Sequence, residues 1–276
     1  MKVRILTALG LSCVALPVMF LSEYLIYPVF LALLSLAAMY EMSALTGFRN
    51  KPAIIVPTYL IALAMPIGAY FQKNVNSFEY ITACLGLLFA FLMYSFGYAV
   101  LKRGKVNFSY LSMHFTTLAY ITLSFTSLSL VRYIDNGVFI FGLVFVACWV
   151  CDVFAYFVGR AIGKHKLIVE VSPKKTVEGA IGGIVFTTLA FVLYGFIVSL
   201  CGGPAPNYLL LIVMGVVLSV ISQFGDLIFS LIKREHGVKD YGTIFPGHGG
   251  VLDRFDSILA VAPVLYVFCV LFTPFG

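Results

Sequence analysis

The stretch LLLIVMGVVLSVISQFGDLIFSLIKR (residues 209–234) has one acidic residue, Asp226, inside an apolar run long enough to cross a lipid bilayer. About 20 apolar residues span the hydrocarbon core as a helix. A charged side chain near the bilayer centre costs about 2.5–3.5 kcal/mol on insertion scales, so we expect Asp226 to face a polar cavity and to have a function there. The alternative is that Asp226 pairs with a buried lysine or arginine for structural reasons alone.

The composition of the whole chain also indicates a membrane protein. Of its 276 residues, 61% are hydrophobic and 11% are charged, whereas a soluble domain carries about 25% charged residues. We expect a single transmembrane domain over residues 1–276, with N-terminal helices in 1–135 and catalytic helices and cytoplasmic loops in 136–276. The net charge of +6 is interpreted as topology signals and phosphate contacts, and not as a nucleic-acid-binding surface.

The hydrophobic pattern predicts an all-α polytopic membrane protein with about nine transmembrane helices. The apolar runs are long and do not alternate with polar residues, which argues against strands. Within the seventh run, the small residues of GAIGG (residues 179–183) predict close packing against another helix. The predicted spans are about 5–22, 24–46, 53–71, 79–100, 110–131, 137–158, 177–200, 207–232 and 256–274.

The distribution of lysine and arginine predicts the orientation. If the N-terminus is cytoplasmic, all of the 18 Lys and Arg residues except Lys73 and Arg132 fall in inside segments. The positive-inside rule then favours a cytoplasmic N-terminus and an external C-terminus. Two inside loops, 159–176 and 233–255, are rich in charged residues. The active surface is therefore expected on the cytoplasmic side of a bacterial-type inner or plasma membrane.

The second of these loops leads into the last span through KDYGTIFPGHGGVLDRFD (residues 239–256). Asp253 and Asp256 are three residues apart, which places both carboxylates on one face of a first helical turn. The helix dipole favours carboxylates there, so capping is one interpretation. Together with Asp240 and Asp226, however, they form an oxygen-rich cluster that suits Mg²⁺, a cation that bridges protein carboxylates and substrate phosphates.

Two spans carry polar side chains toward the same surface. Ser230 and Lys233 follow Asp226 at four and seven residues, so the three share one helix face. Asp152 lies in the sixth span in a similar position, and Arg160 begins the loop that follows it. We expect both aspartates to line one polar cavity.

A group of basic residues precedes the seventh span in SPKKTVEG (residues 172–179). Pro173 restricts Ser172 to an extended conformation, and Thr176 is a candidate N-cap. Lys174 and Lys175 therefore lie beside the free N–H groups of a helix start, where anions bind. The alternative interpretation is that these two lysines only anchor the topology.

The turn PGHGG (residues 246–250) has a composition that suits phosphate binding. Gly249 and Gly250 let backbone N–H groups approach a phosphate closely. His248 between the glycines is a candidate donor to a phosphate, although a lone loop histidine is often simply solvated. Four more cations near the carboxylates are candidate phosphate contacts: Lys233, Arg234, Lys239 and Arg254. Together these features favour phosphoryl or nucleotidyl transfer.

SLIKREHGVKDYGTIFPGHGGVLDRFD (residues 230–256) resembles the signature of the phosphatidate cytidylyltransferases, or CDP-diacylglycerol synthases, at every defining position. DVFAYFVGRAIGKHKLIVEVSPKKTVEG (residues 152–179) resembles the second common block of that family. The first 130 residues match only as apolar helices. Two positions depart from the pattern: Phe229 stands where members often have glutamate, and Tyr241 where they often have serine.

The resemblance implies that CTP and phosphatidic acid react to give CDP-diacylglycerol and pyrophosphate, with Mg²⁺ as cofactor and membrane lipids as surroundings. It implies that Mg²⁺ is held by Asp226, Asp253 and Asp256. It implies that phosphate oxygens are neutralised by Lys233, Lys239 and Arg254. Substrate-binding positions are then Asp152, Arg160, Ser172, Lys174, Lys175, Thr176, Ser230, Arg234, Asp240, His248, Gly249 and Gly250.

Several alternatives stay open at the level of sequence. A CTP-dependent lipid kinase would transfer the γ-phosphate, and the base specificity rests on the resemblance alone. A transporter would use Asp152 and Asp226 as a cation or proton relay, but it leaves the glycine turn without a role. The oligomeric state is also open, a homodimer included.

Overall fold

The computed structural model describes residues 21–72, 77–102, 105–245, 247 and 249–276. The described chain divides into two compact units. The first contains the described part of Met1–Tyr133 together with Asp240–Arg254, and the second contains Ile134–Lys239 and Phe255–Gly276. The segment Asp240–Arg254, which holds much of the signature, is therefore part of the first unit although it follows most of the second in sequence.

The first unit contains four long helices. They are α1 (Ile26–Leu45), α2 (Pro52–Phe71), α3 (Ser77–Leu101) and α4 (Phe108–Val131). Helices α1, α2 and α4 pack against one another, and α3 packs on α2 and α4. His114 of α4 is fully buried. Its Nδ1 atom lies 3.0 Å from the Thr46 hydroxyl, and its Nε2 atom lies 3.0 Å from the Thr58 hydroxyl. Both polar atoms of this buried ring are therefore satisfied inside an apolar bundle.

The second unit begins with a span that contains a π-helical turn. Its elements are α5 (Gly137–Phe145), the π turn (Val146–Val150), α6 (Cys151–Ile162), β1 (Lys166–Ile168), β2 (Ser172–Thr176), α7 (Val177–Leu200) and α8 (Tyr208–Glu235). The strands form an antiparallel hairpin in which Lys166 pairs with Thr176. The last helix, α9 (Leu252–Leu271), begins in the signature segment and continues as part of the second unit.

The all-α membrane architecture predicted from the sequence is confirmed for the described residues. Eight helices there are long and apolar enough to cross a membrane, each within a few residues of a predicted span. Of the first predicted span, 5–22, only residues 21 and 22 are described, and they lie in a turn. The last helix begins at Leu252 and not at 256, so Asp253 and Arg254 are helical.

The expectation that the chain has no strands is wrong for one polar segment. Residues 166–176 form a short hairpin because Pro173 keeps its neighbour extended and because this segment lies between two apolar spans. Lys174 and Lys175 thus lie on a strand, and their side chains point to opposite faces of it. Only Lys175 is partly buried, so the hairpin separates the environments of the two lysines.

Glycines let α6 and α7 approach closely, as the small residues of GAIGG predict. A Cβ atom on Gly179 would lie 2.5 Å from the carbonyl oxygen of Ala155, and one on Gly182 would lie 2.6 Å from the side chain of Val158. Without a hydrophobic driving force between helices in lipid, such close contacts are a main source of helix association. The contact fixes α6, which carries Asp152, against the helix that begins beside Lys175.

We expect Gly182→Ala to destabilise the protein by about 1–3 kcal/mol, because the added methyl group overpacks the α6–α7 contact. The matched control is Gly86→Ala in α3, where an added Cβ would meet no heavy atom within 4 Å. Thermal unfolding of both variants in detergent checks this prediction. Equal midpoints for the two variants would show that the close approach of α6 and α7 contributes little to stability.

Candidate active site

An ion pair lies at the centre of the polar residues of the second unit. The Lys175 Nζ atom of β2 lies 2.6 Å from the Asp226 Oδ2 atom of α8, and both side chains are less than a third exposed. Ser230, one helical turn further along α8, donates its hydroxyl to Asp226 Oδ1 at 3.2 Å. Asp226 therefore has a cation on one carboxylate oxygen and a hydroxyl donor on the other, as expected for a charge placed inside a membrane span.

Asp256 of α9 lies next to Asp226. The charges of the two carboxyl groups interact, and the charge of Lys233 also acts on Asp256. Gly225 makes this approach possible, because a Cβ there would lie 2.7 Å from the Cβ of Ala260 and 2.8 Å from the Asp256 carbonyl oxygen. The absence of a side chain at Gly225 therefore brings the two carboxylates together.

A cavity of about 290 Å³ lies between α6, the hairpin, α7 and α8, and Lys175 is one of its lining residues. Its polar lining residues are Asp152, Arg160, Lys174, Lys175, Thr176 and Gln223. Lys175 both lines the cavity and pairs with Asp226, and the charge of Asp152 interacts with those of Asp226 and Lys175. The exposed Tyr156 also lines the cavity, and its hydroxyl accepts a hydrogen bond from Arg160 Nη1 at 3.1 Å.

Hydrogen bonds at the start of α7 hold the hairpin that carries the two lysines. Thr176 caps the helix by accepting the Gly179 N–H at 3.1 Å, which confirms the predicted N-cap. The Glu178 carboxylate accepts the N–H groups of Lys164 and His165 and pairs with the His165 ring at 2.6 Å. Both ends of the hairpin are therefore tied to α7, which fixes the position of Lys175.

The signature segment of the first unit is organised around a different carboxylate. Asp253 Oδ2 accepts the backbone N–H groups of Tyr241 at 2.8 Å and of Gly250 at 2.9 Å. Gly249 has a φ of +84°, a left-handed conformation that glycine adopts without strain, and a Cβ there would lie 2.8 Å from Asp253 Oδ2. These contacts match the capping interpretation of Asp253, and its role as a metal ligand stays a prediction.

Within the second unit, the structure brings together one group of the predicted site residues. The group around the cavity and the ion pair consists of Asp152, Arg160, Lys174, Lys175, Thr176, Asp226, Ser230, Lys233 and Asp256. Ser172 lies in β2, and Arg234 Nε lies 3.5 Å from the Val171 carbonyl oxygen. Lys239 and Asp240 are exposed, Gly249, Gly250, Asp253 and Arg254 belong to the first unit, and His248 lies outside the described residues.

The sequence analysis missed two polar residues that make hydrogen bonds between separate elements of the structure. Gln223 lines the cavity and donates its amide to the Ala180 carbonyl oxygen at 3.2 Å. Because Gln223 lies three residues before Asp226, extending the polar helix face backwards would have found it. The other is Glu41, a buried acid in α1 that accepts two backbone N–H groups of the signature segment.

The two departures from the family pattern have structural explanations. Phe229 is buried, with 1% of its surface exposed, so it serves as a core residue where a glutamate is common. At Tyr241 the backbone N–H contacts Asp253, and a backbone donor is available whichever side chain stands there. The tyrosine is therefore compatible with the same segment geometry.

Comparison with known proteins agrees with the resemblance that the signature carries. A family model described as the cytidylyltransferase family matches residues 2–272. The chain belongs to this cytidylyltransferase family.

Among curated relatives of this cytidylyltransferase, a phosphatidate cytidylyltransferase of Staphylococcus haemolyticus is 33% identical over 270 residues, which are 97% of this chain and 98% of the relative. One from Staphylococcus epidermidis is 35% identical over 270 residues, which again are 97% of this chain and 98% of the relative. One from Bacillus subtilis is 43% identical over 183 residues, 64% of each chain. The similarity to the staphylococcal enzymes therefore extends over nearly the whole cytidylyltransferase chain.

A double-mutant cycle on Lys175→Met and Asp226→Asn should give a coupling of about 1–3 kcal/mol in the free energy of unfolding, because the two groups are in direct contact. The control cycle replaces Lys175→Met by Lys174→Met, since Lys174 makes no ion pair in the described structure. Its coupling with Asp226→Asn should stay below about 0.5 kcal/mol. Equal couplings in the two cycles would contradict the ion pair.

Proposed function

We propose that this cytidylyltransferase transfers the cytidylyl group of CTP to phosphatidate and releases CDP-diacylglycerol and pyrophosphate. The proposal rests on the family membership, on relatives named phosphatidate cytidylyltransferase and on the charged cavity of the second unit. The single observation that carries it is the contact of Lys175 with Asp226 beside Asp256. This contact puts cationic and acidic groups for handling phosphates inside a membrane span.

The chemistry requires two polyanions to approach each other. A phosphate oxygen of phosphatidate forms a bond to the α-phosphorus of CTP, while the bond from that phosphorus to the bridging oxygen breaks and pyrophosphate leaves. Positively charged groups lower the barrier by offsetting the charge that builds up on these oxygens. Arg160, Lys174 and Lys175 line the cavity, so we assign them to holding substrate phosphates.

The cavity also suits a lipid substrate. It is formed by parts of the spans α6, α7 and α8, and one of its lining residues, Tyr156, is 59% exposed on a membrane-spanning helix. A phosphatidate headgroup could enter from the side while its acyl chains stay in the bilayer. A site of about 290 Å³ is comparable to the smaller ligand pockets of proteins, which is adequate for phosphate groups and a glycerol backbone.

We further propose that Asp226 and Asp256 hold Mg²⁺. No group of three or more His, Cys, Asp or Glu side chains within the described residues is arranged to bind a metal. However, Mg²⁺ commonly uses one or two protein carboxylates and takes its other ligands from water and substrate phosphates. Two adjacent carboxylates fit that requirement, and bound Mg²⁺ would supply charge neutralisation for the phosphates.

The remaining assignments follow from the resemblance and from the charge distribution. Lys239 and Arg254 are assigned to phosphate neutralisation, His248 to orienting the triphosphate, and Asp253 to metal binding as well as to its cap.

The lysine and arginine distribution supports an active site on the cytoplasmic side with the N-terminus inside. Labelling of engineered cysteines from each side of sealed vesicles would test that orientation.

The reaction itself is tested with purified protein in phosphatidate-containing vesicles. CTP labelled at the α-phosphate should transfer its label to the lipid product, and CTP labelled at the γ-phosphate should release it as pyrophosphate. The reaction should need Mg²⁺ and should prefer CTP over the other three nucleoside triphosphates. Transfer of the γ-label to lipid would instead identify a lipid kinase, and solute flux without nucleotide use would identify a transporter.

We expect Asp256→Asn to lower kcat by about 100-fold or more, equivalent to about 2.7 kcal/mol of transition-state stabilisation, because one of two carboxylates for Mg²⁺ is lost. The control is Asp135→Asn, which removes the carboxylate of an exposed residue between α4 and α5 and should keep the wild-type rate. The assay is CTP-dependent product formation over a range of Mg²⁺ concentrations. A full rate for Asp256→Asn would rule out this metal assignment.

A further inference from the structure

Glu41 is a buried acid that the proposed chemistry does not use. It lies in α1 with 3% of its surface exposed. Its Oε1 atom accepts the N–H of Val251 at 2.9 Å, and its Oε2 atom accepts the N–H of Leu252 at 3.0 Å. Both oxygens of the carboxylate are therefore directed at the start of α9, about 210 residues away in sequence.

These two N–H donors lie at the start of α9, where backbone N–H groups need an acceptor from outside the helix. The first N–H groups of a helix have no partner within the helix, and the positive end of the helix dipole favours a negative charge there. Glu41 has no ion pair in the described structure. The helix start therefore compensates the buried charge of Glu41. Glu41 caps α9 from a distant helix by accepting the N–H groups of Val251 and Leu252, whereas a local N-cap side chain accepts those of the second or third helical residue.

The segment before α9 is shaped to fit around this carboxylate. A Cβ atom on Gly242 would lie 2.6 Å from Glu41 Oε1, and a Cβ on Gly250 would also collide with the carboxylate. Asp253 binds the same segment from the other end through the N–H groups of Tyr241 and Gly250. Two carboxylates, one from α1 and one from α9, thus fix where the signature segment ends and where α9 begins.

We propose that Glu41 is a positioning residue for cytidylyl transfer, a proposal that rests on the proposed function. It acts through the cap that it forms on α9. Asp253 and Arg254 lie in the first turn of that helix, and Asp256 follows one turn later. A shift at the capped end changes the placement of these side chains, and misplacing reacting groups by about 1 Å can cost about 100-fold in rate.

The test compares Glu41→Gln with wild type in the full-length protein in phosphatidate vesicles. The amide keeps the size of the carboxylate but lacks its charge, and only one of its two terminal atoms can accept an N–H. We expect kcat to fall at least about tenfold with the KM for CTP changed less than about threefold. Amide hydrogen exchange should become faster in peptides covering 249–256 and stay unchanged in α2 and α7.

The matched control is Glu23→Gln, the same substitution at an exposed glutamate of the first unit, which should leave both kcat and amide exchange unchanged.

Gly242→Ala provides a second perturbation, which keeps the charge of Glu41 while the added methyl group of residue 242 presses against the Glu41 carboxylate. It should reproduce the kcat loss, and the double variant Glu41→Gln with Gly242→Ala should be no worse than the more affected single variant. If Glu41→Gln does not fold, Gly242→Ala with its exchange pattern decides the question.

The outcomes separate this proposal from the proposed function. Wild-type kcat and unchanged exchange at 249–256 in Glu41→Gln would overturn the positioning role while leaving cytidylyl transfer intact. A uniform increase of exchange over all helices would also overturn it, because it indicates general destabilisation. If wild type shows no transfer with any nucleotide, the proposed function fails, and local exchange at 249–256 still shows whether Glu41 holds α9.

Discussion

The ion pair between Lys175 and Asp226 is the interaction on which the rest of the candidate site depends. A carboxylate inside a membrane span is costly unless it is paired or faces a polar cavity. Asp226 has a cation at 2.6 Å, the Lys175 ammonium group, and Lys175 lines the polar cavity. A second carboxylate, Asp256, lies beside it. Two like charges this close repel each other, and the nearby ammonium group of Lys175 offsets this repulsion.

The helix packing that brings these charged groups together depends on glycines, which have no side chain that could react or bind substrate. Gly225 lets α8 meet α9 at the level of Asp256, and Gly179 and Gly182 let α7 meet α6. In lipid, close backbone approach of this kind replaces the hydrophobic effect as a source of helix association. The same glycines that hold the second unit together therefore also set the distance between its charged groups.

The spans were predictable because a long apolar run has few alternatives in a bilayer, and the cost of burying Asp226 was enough to predict its polar surroundings. The hairpin at 166–176 was not predictable in the same way, because its strands are short and polar and carry no hydrophobic period. Glu41 was accessible to the argument used for Asp226, since it is also an acid inside an apolar span. Its hydrogen-bond partners could not be predicted, because they are backbone N–H groups at the start of a distant helix, and no residue type in the sequence indicates them.

The signature segment shows why a motif match does not by itself assign chemical roles. Asp253 and Gly249 belong to the pattern, and both shape the segment itself: Asp253 accepts two of its backbone N–H groups, and Gly249 adopts a left-handed conformation. A residue can match a catalytic signature because it shapes the segment, because it binds substrate, or for both reasons. Glu41 shows the converse, since it lies outside the signature and yet contacts it through two backbone N–H groups. Roles in this family therefore have to be separated by comparing rates with local backbone order, variant by variant.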